Sequence, residues 1–148
     1  MSITYQQEFL RSIQHEMVDL IEEDWLEVGH KGMTLDVDWD GYFFLEDRGD
    51  LKVFTARVDN KIVGYFLVIS FPSLQCKGQV FVANEAIFLS KPYRNSRIGI
   101  KLFDFTESCL KSDGYNSLFV TTTEANPIDK FLTRRGYKKI ETRFEKVL

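Results

Sequence analysis

The stretch Glu85-Ala-Ile-Phe-Leu-Ser-Lys-Pro-Tyr-Arg-Asn-Ser-Arg-Ile-Gly-Ile-Lys-Leu-Phe103 decides how the rest of the chain is read. It opens as an apolar strand, passes through a short loop of small and basic residues, and continues with helical spacing. A strand, a loop carrying Arg94 and Arg97, then a helix N-terminus makes an anion cradle. Loop N–H groups and the positive end of the helix dipole both point at whatever sits there.

Upstream of that stretch, apolar residues at Phe9, Ile13, Met17, Leu20, Ile21, Trp25 and Val28 recur at helical spacing, predicting an amphipathic helix over about Glu8–Glu27. Ile3–Phe9 before it reads as a short strand or the fraying start of that helix. The acidic residues of the helix form a solvated face, or else its end, Asp24, Trp25 and Glu27, overhangs a site and attracts a cationic substrate. Gly29 to Gly32 stops the helix. A short helix follows, with Asp38 as N-cap and Gly49 at its close. Leu51–Val58 and Ile62–Phe71 read as a hairpin around Asp59-Asn60-Lys61, with Gly64 marking a bulge.

Downstream, Gln79–Leu89 is a third long strand and Arg97–Lys111 an amphipathic helix. Ser117–Thr123 is a strand, and a short helix begins at Pro127 with Asn126 as cap. Tyr137–Val147 is a last strand. The order is that of an α+β domain in which hairpins come first and strand–helix–strand crossovers second. All 148 residues are read as one such domain.

Composition narrows the function. A net charge of −3 argues against broad nucleic-acid binding, which needs many phosphate-neutralising cations. Cys76 and Cys109 form no Cys-x-x-Cys pair and read as free core thiols of a reducing compartment. His15 and His30 are too far apart in sequence to suggest a metal site. Asp36, Asp38, Asp40 and Gly41 lack the closing Glu of a calcium loop. No apolar run is long enough to span a bilayer, and the N-terminus lacks a signal-peptide layout, so a cytoplasmic protein is expected.

Leu89-x-x-Pro-Tyr-Arg94-Asn-Ser-Arg-Ile-Gly99 resembles the acetyl-CoA motif of the GNAT N-acetyltransferases, Arg/Gln-x-x-Gly-x-Gly/Ala between the fourth strand and third helix. Asn126 to Gly136-Tyr137 resembles the family's second motif, and Gly64-Tyr65 its hairpin. The layout of the first half looks most like small bacteriophage-borne members, for which a host protein is a conceivable partner. The resemblance implies a mixed, mostly antiparallel central sheet flanked by helices, with splayed fourth and fifth strands. It implies acetyl-CoA as co-substrate and a primary amine as acceptor, on a protein lysine, a protein N-terminus or a small molecule. A homodimer is also in keeping with it.

Carried over residue by residue, the resemblance gives pantetheine the strand backbone at Ile87, Phe88 and Leu89. The pyrophosphate falls to Arg94, Asn95, Ser96, Arg97, Ile98, Gly99 and Ile100. Asn126 and Phe131 complete the cofactor side. Trp25 and Tyr42 are candidate walls of the acceptor pocket. Glu85 is the candidate general base, four residues before Leu89 and so expected on its face. Among apolar neighbours, its carboxylate should be desolvated and its pKa raised. The other reading of Glu85 is a strand-end carboxylate held by a neighbouring hydroxyl or Arg. Two departures stand out: Arg97 replaces the first motif glycine, and Leu132 replaces the Tyr that often protonates the leaving thiolate. They leave open a GNAT-fold protein that binds CoA or a partner without turnover.

Overall fold

The computed structural model describes all residues, Met1–Leu148. Five strands lie side by side in chain order: β1 (Ile3–Glu8), β2 (Leu51–Val58), β3 (Lys61–Pro72), β4 (Val80–Leu89) and β5 (Leu118–Phe119). The first four pair antiparallel and β5 runs parallel to β4. Helices α1 (Leu10–Val28) and α2 (Trp39–Asp47) cover one face, and α3 (Ile98–Ser112) with α4 (Asp129–Arg134) the other. No helix is long and apolar enough to cross a membrane.

Local chemistry sets these elements. Asp59 and Asn60 take φ of 48° and 68°, the left-handed pair that a two-residue hairpin turn demands. The Asp38 carboxylate accepts from the Gly41 amide at 2.9 Å and caps α2. Phe9 precedes α1, and its side chain has no oxygen with which to cap the helix. The Glu46 carboxylate from α2 takes the Leu10 and Arg11 amides instead. Gly29 ends α1 with φ of −64°, so it is not needed for a left-handed turn. It is needed for space: a Cβ there would lie 2.4 Å from the Trp25 ring, which covers its own helix end.

Two bulges change which residues face which helices. Ala56 pairs with Gly64 and Arg57 with Ile62, leaving Val63 as the extra residue beside Gly64. Ile62, Tyr65 and Leu67 consequently all face α1, out of strict alternation. In β4, Leu67 pairs with Ala86 and Val68 with Asn84, so Glu85 is the extra residue. Val82 before this bulge packs toward α3, whereas Ala86 and Phe88 after it pack toward α1 and α2. A bulge inserts one residue and so re-aims the side chains next to it.

Four expectations are corrected. β5 spans only two residues rather than Ser117–Thr123, because the Asn84 side chain replaces the next backbone rung. Its Oδ1 accepts from the Thr121 amide at 2.7 Å and its Nδ2 donates to the Thr121 carbonyl at 3.3 Å. Tyr137–Val147 forms no strand, since the sheet offers it no paired edge beyond so short a β5; Tyr137 is fastened instead by its hydroxyl to Glu107. The last helix starts at Asp129, and Asn126 does not cap it. Cys76 is exposed in a loop rather than core, and Cys109 is half-buried.

Candidate active site

Pairing between β4 and β5 stops at Val82↔Leu118 and Ala83↔Phe119. From Glu85 to Leu89, the side of β4 turned toward β5 has no partner strand. This opening leads directly into the loop before α3. There Asn95 is left-handed, with φ of 63°, and Arg97 is already helical, with φ of −82° and ψ of 0°. The Ser96 hydroxyl takes the Ile98 amide at 3.3 Å. The amides of Asn95, Ser96, Arg97, Gly99 and Ile100 have no protein acceptor. A concave run of free N–H groups at the positive end of a helix suits a polyphosphate.

The two arginines of the loop part company. Arg97 is exposed and makes no ion pair, so it is free to face phosphate. Arg94 is engaged: its fork donates to both Glu27 oxygens at 2.9 Å, and its Nε donates to the Leu89 carbonyl at 2.7 Å. Its guanidinium lies 5.6 Å over the Phe88 ring. Glu27 also accepts from Asn126 Nδ2 at 2.7 Å. One α1 carboxylate therefore joins the end of β4 to the segment that follows β5. The sequence leaves this end of α1 open between a solvated acidic face and an overhang of the site, and nothing in it marks the clasp.

Ile87 and Leu89 pack toward α3, and Phe88 is buried toward α1. The glycine that leaves this end of β4 its room is Gly64, where a Cβ would stand 2.9 Å from the Leu89 side chain and the Phe88 carbonyl; at Gly99 a Cβ would meet Leu89 at 3.6 Å, an ordinary contact. Phe131 stacks edge-on against Phe103, with ring centres 4.9 Å apart, and so supports the cradle helix. Leu132, at the place of the usual Tyr, is 8% exposed and belongs to the α3-side core.

Glu85 is not on the face of Leu89. The bulge turns it toward α2, where the Tyr42 hydroxyl donates to its Oε1 at 2.9 Å. It is also exposed, so the apolar surroundings expected of it are missing. The burial of Tyr42, and then the adjacent Glu85 charge, hold that phenol well above its ordinary value. The desolvated carboxylate of the region is Asp24. Burial pushes its carboxyl up to about 6; Tyr65 and Arg94 pull it down and Glu27 adds to the rise. The Tyr65 hydroxyl donates to Asp24 Oδ2 at 2.9 Å. His15 lies exposed near Glu16, and His30 meets Glu145 at 2.6 Å, far along the chain from the cradle.

Residues 14–137 match the acetyltransferase (GNAT) family. This chain belongs to the GNAT family of N-acetyltransferases. Its fold is shared by a protein from Bacillus halodurans C-125 described as a transcriptional regulator, at 20% identity and a TM-score of 0.79, covering 99% of this chain and 100% of that one. A ribosomal-protein-alanine N-acetyltransferase from Brucella melitensis shares it at 18% identity and a TM-score of 0.73, covering 100% and 99%. A predicted acetyltransferase of Clostridium acetobutylicum, solved with acetyl-CoA, does so at 14% identity and a TM-score of 0.69, covering 99% and 96%. No curated protein matches the sequence significantly. None of these matches points to a bacteriophage origin. In this GNAT member the α+β fold with its mixed five-stranded sheet is as the motif implied.

Proposed function

We propose that the protein transfers the acetyl group of acetyl-CoA to a primary amine, on a protein lysine, a protein N-terminus or a small molecule. One observation carries this reading: the free side of β4 from Glu85 to Leu89 runs straight into the unpaired amides of Asn95, Ser96, Arg97, Gly99 and Ile100. Pantetheine would continue the sheet where β5 departs, and the pyrophosphate would sit on the loop amides and Arg97. The amide near Leu89 would polarise the thioester carbonyl, a role that needs no particular side chain. With Leu132 in the core, no tyrosine stands at that position to protonate the leaving group. A thiol is far more acidic than an alcohol or an amine, so CoA can leave as thiolate without a dedicated acid. On the other side of β4, exposed Glu85 and half-buried Tyr42 would draw in the ammonium group of the acceptor.

The test is release of free thiol from acetyl-CoA across a panel of amines, alongside calorimetric titration of acetyl-CoA. Amine-dependent thiol release is expected. Binding without release over the whole panel would make this a ligand-binding member without turnover, and no binding would exclude both readings. The cradle has its own check. Arg97→Ala should weaken acetyl-CoA about three- to tenfold, an effect that fades at high salt, because an exposed cation on phosphate contributes on the order of 1 kcal/mol. Acetyl-pantetheine, which lacks the pyrophosphate and nucleotide, should bind that variant as it binds wild type.

A further inference from the structure

The clasp around Glu27 fixes one more carboxylate in place, and that carboxylate is not occupied by it. Asp24 lies three residues before Glu27 on α1, one helical turn away on the same side. Glu27 is held by Arg94, and Arg94 by the Leu89 carbonyl. From the sheet side, Asp24 is held by Tyr65, which pairs across the ladder with Phe88 and packs on its ring at 5.9 Å. Asp24 is thus tied from two directions to Phe88–Leu89, the part of β4 that β5 has left.

The oxygens of the nearby acids are used differently. Both Glu27 oxygens carry bonds from Arg94, and one of them a further bond from Asn126. Asp24 uses Oδ2 for Tyr65, while Oδ1 accepts no protein hydrogen bond and is not sealed from solvent. We propose that Asp24 is the catalytic base of acetyl transfer: Oδ1 binds the protonated acceptor amine beside Leu89 and removes its proton. This assignment rests on the acetyl-transfer reading above.

The step balances simply. The ammonium gives one proton to the Asp24 carboxylate, and the neutral nitrogen attacks the thioester carbon. The C–N bond forms, the C–S bond breaks, and CoA leaves as thiolate. The second amine proton goes with the thiolate, and Asp24 returns its proton to water. Tyr65 faces Asp24 from β3, Glu27 from its own helix, and Arg94 from the loop after β4; Tyr42 and Glu85 lie next beyond Tyr65. Partial burial places the group in the range where a base works near neutral pH.

The experiment measures acetyl-transfer rates from pH 5 to 9 for wild type, Asp24→Asn, Asp24→Glu and Tyr65→Phe. The acceptors are an alanine-led peptide, a lysine peptide blocked at its N-terminus, spermidine and an aminoglycoside. Asp24→Asn should lower kcat/KM for the amine about 100-fold or more, the usual size of a lost general base. It should abolish the acidic limb near pH 6 and leave the acetyl-CoA Kd within about twofold. Asp24→Glu should recover part of the rate. Tyr65→Phe removes a bond that favours the carboxylate, so its acidic limb should move to higher pH. Asp24→Asn rates within about threefold of wild type, with the limb intact, would overturn the assignment and leave acetyl transfer standing. Wild type that binds acetyl-CoA but acetylates no acceptor would overturn the acetyl-transfer reading and this assignment with it.

Discussion

Arg94→Ala is expected to lower folding stability by about 2 kcal/mol and to weaken acetyl-CoA and acetyl-pantetheine by the same factor. The motif position suggests a phosphate ligand, for which only the CoA complex would suffer. The contacts point elsewhere. Arg94 fastens the Glu27 carboxylate and the Leu89 carbonyl, and Glu27 in turn holds Asn126. The Arg94 and Glu27 side chains are 30% and 18% exposed, so the pair is only lightly screened by water. Alanine would leave a half-buried carboxylate without its cation and free the end of β4 from α1. The slot beside Leu89, where both ligands would place the same pantetheine arm, would then lose its shape. Thermal unfolding should show a drop of roughly 4–8 °C for a chain of this size. Calorimetry with the two ligands then decides the role: a loss confined to CoA would make Arg94 a phosphate ligand. Arg94→Lys should recover little, since an ammonium cannot span both carboxylate oxygens and the carbonyl together.

Sequence patterns made much of this architecture legible because they act locally. The Asp59-Asn60 turn, the Asp38 cap and the apolar stripe of α3 each depend on neighbours a few residues away. The strand–loop–helix around Arg94 and Gly99 was legible for the same reason, and it carried the family with it. What escaped were the places where alternation changes phase. Nothing in Asn84-Glu85-Ala86 announces a bulge, so regular alternation predicts Glu85 on the face of Leu89 with its carboxylate among apolar residues. The structure separates those attributes: the bulge exposes Glu85 beside Tyr42, while the desolvated carboxylate is Asp24 on α1. Asp24 was readable only as one acid among several on a helix. It is engaged by Tyr65, which the β2–β3 bulge turns toward α1. Asn84 was likewise silent, because a side chain standing in for a strand rung leaves no mark in composition or period.

The position of α1 above β3 and β4 depends on a second ion-pair network, and breaking it should have the largest effect on stability. Arg57, 9% exposed on β2, binds Glu8 of β1 and Glu16 of α1 through paired bonds of 2.8–3.0 Å, and donates to the Asn60 carbonyl. Thr55 adds a hydroxyl bond to Glu8. Arg57→Ala would leave two carboxylates beside the sheet without a cation, a loss of about 3 kcal/mol at neutral pH, or roughly 6–12 °C in Tm. The loss should depend on pH with a definite sign. Burial alone would push the Glu8 carboxyl up, but the Arg57 and Thr55 hydrogen bonds and the Arg57 charge outweigh it and hold it below its ordinary value. The stability this brings is present above the ordinary carboxyl range, near 4.5, and is lost as pH falls through the lowered folded value. Asp24 acts oppositely. Its folded value near 6 lies above its ordinary 3.8, so wild type should gain stability as pH falls from 7 toward 4. From these two groups, denaturant unfolding of wild type should therefore show a shallow maximum near pH 4, where the Asp24 gain ends and the Glu8 loss takes over, and the gap to Arg57→Ala should narrow below pH 4.5, where a protonated Glu8 no longer needs its cation. Replacing Arg57, Glu8 and Glu16 together with apolar residues of similar volume should restore most of the stability at pH 7, because the cost lies in the unpaired charges rather than in the absence of an ion pair. If that triple variant also retains acetyl transfer, α1 needs only to be held in place, and the ion pairs are one way of holding it.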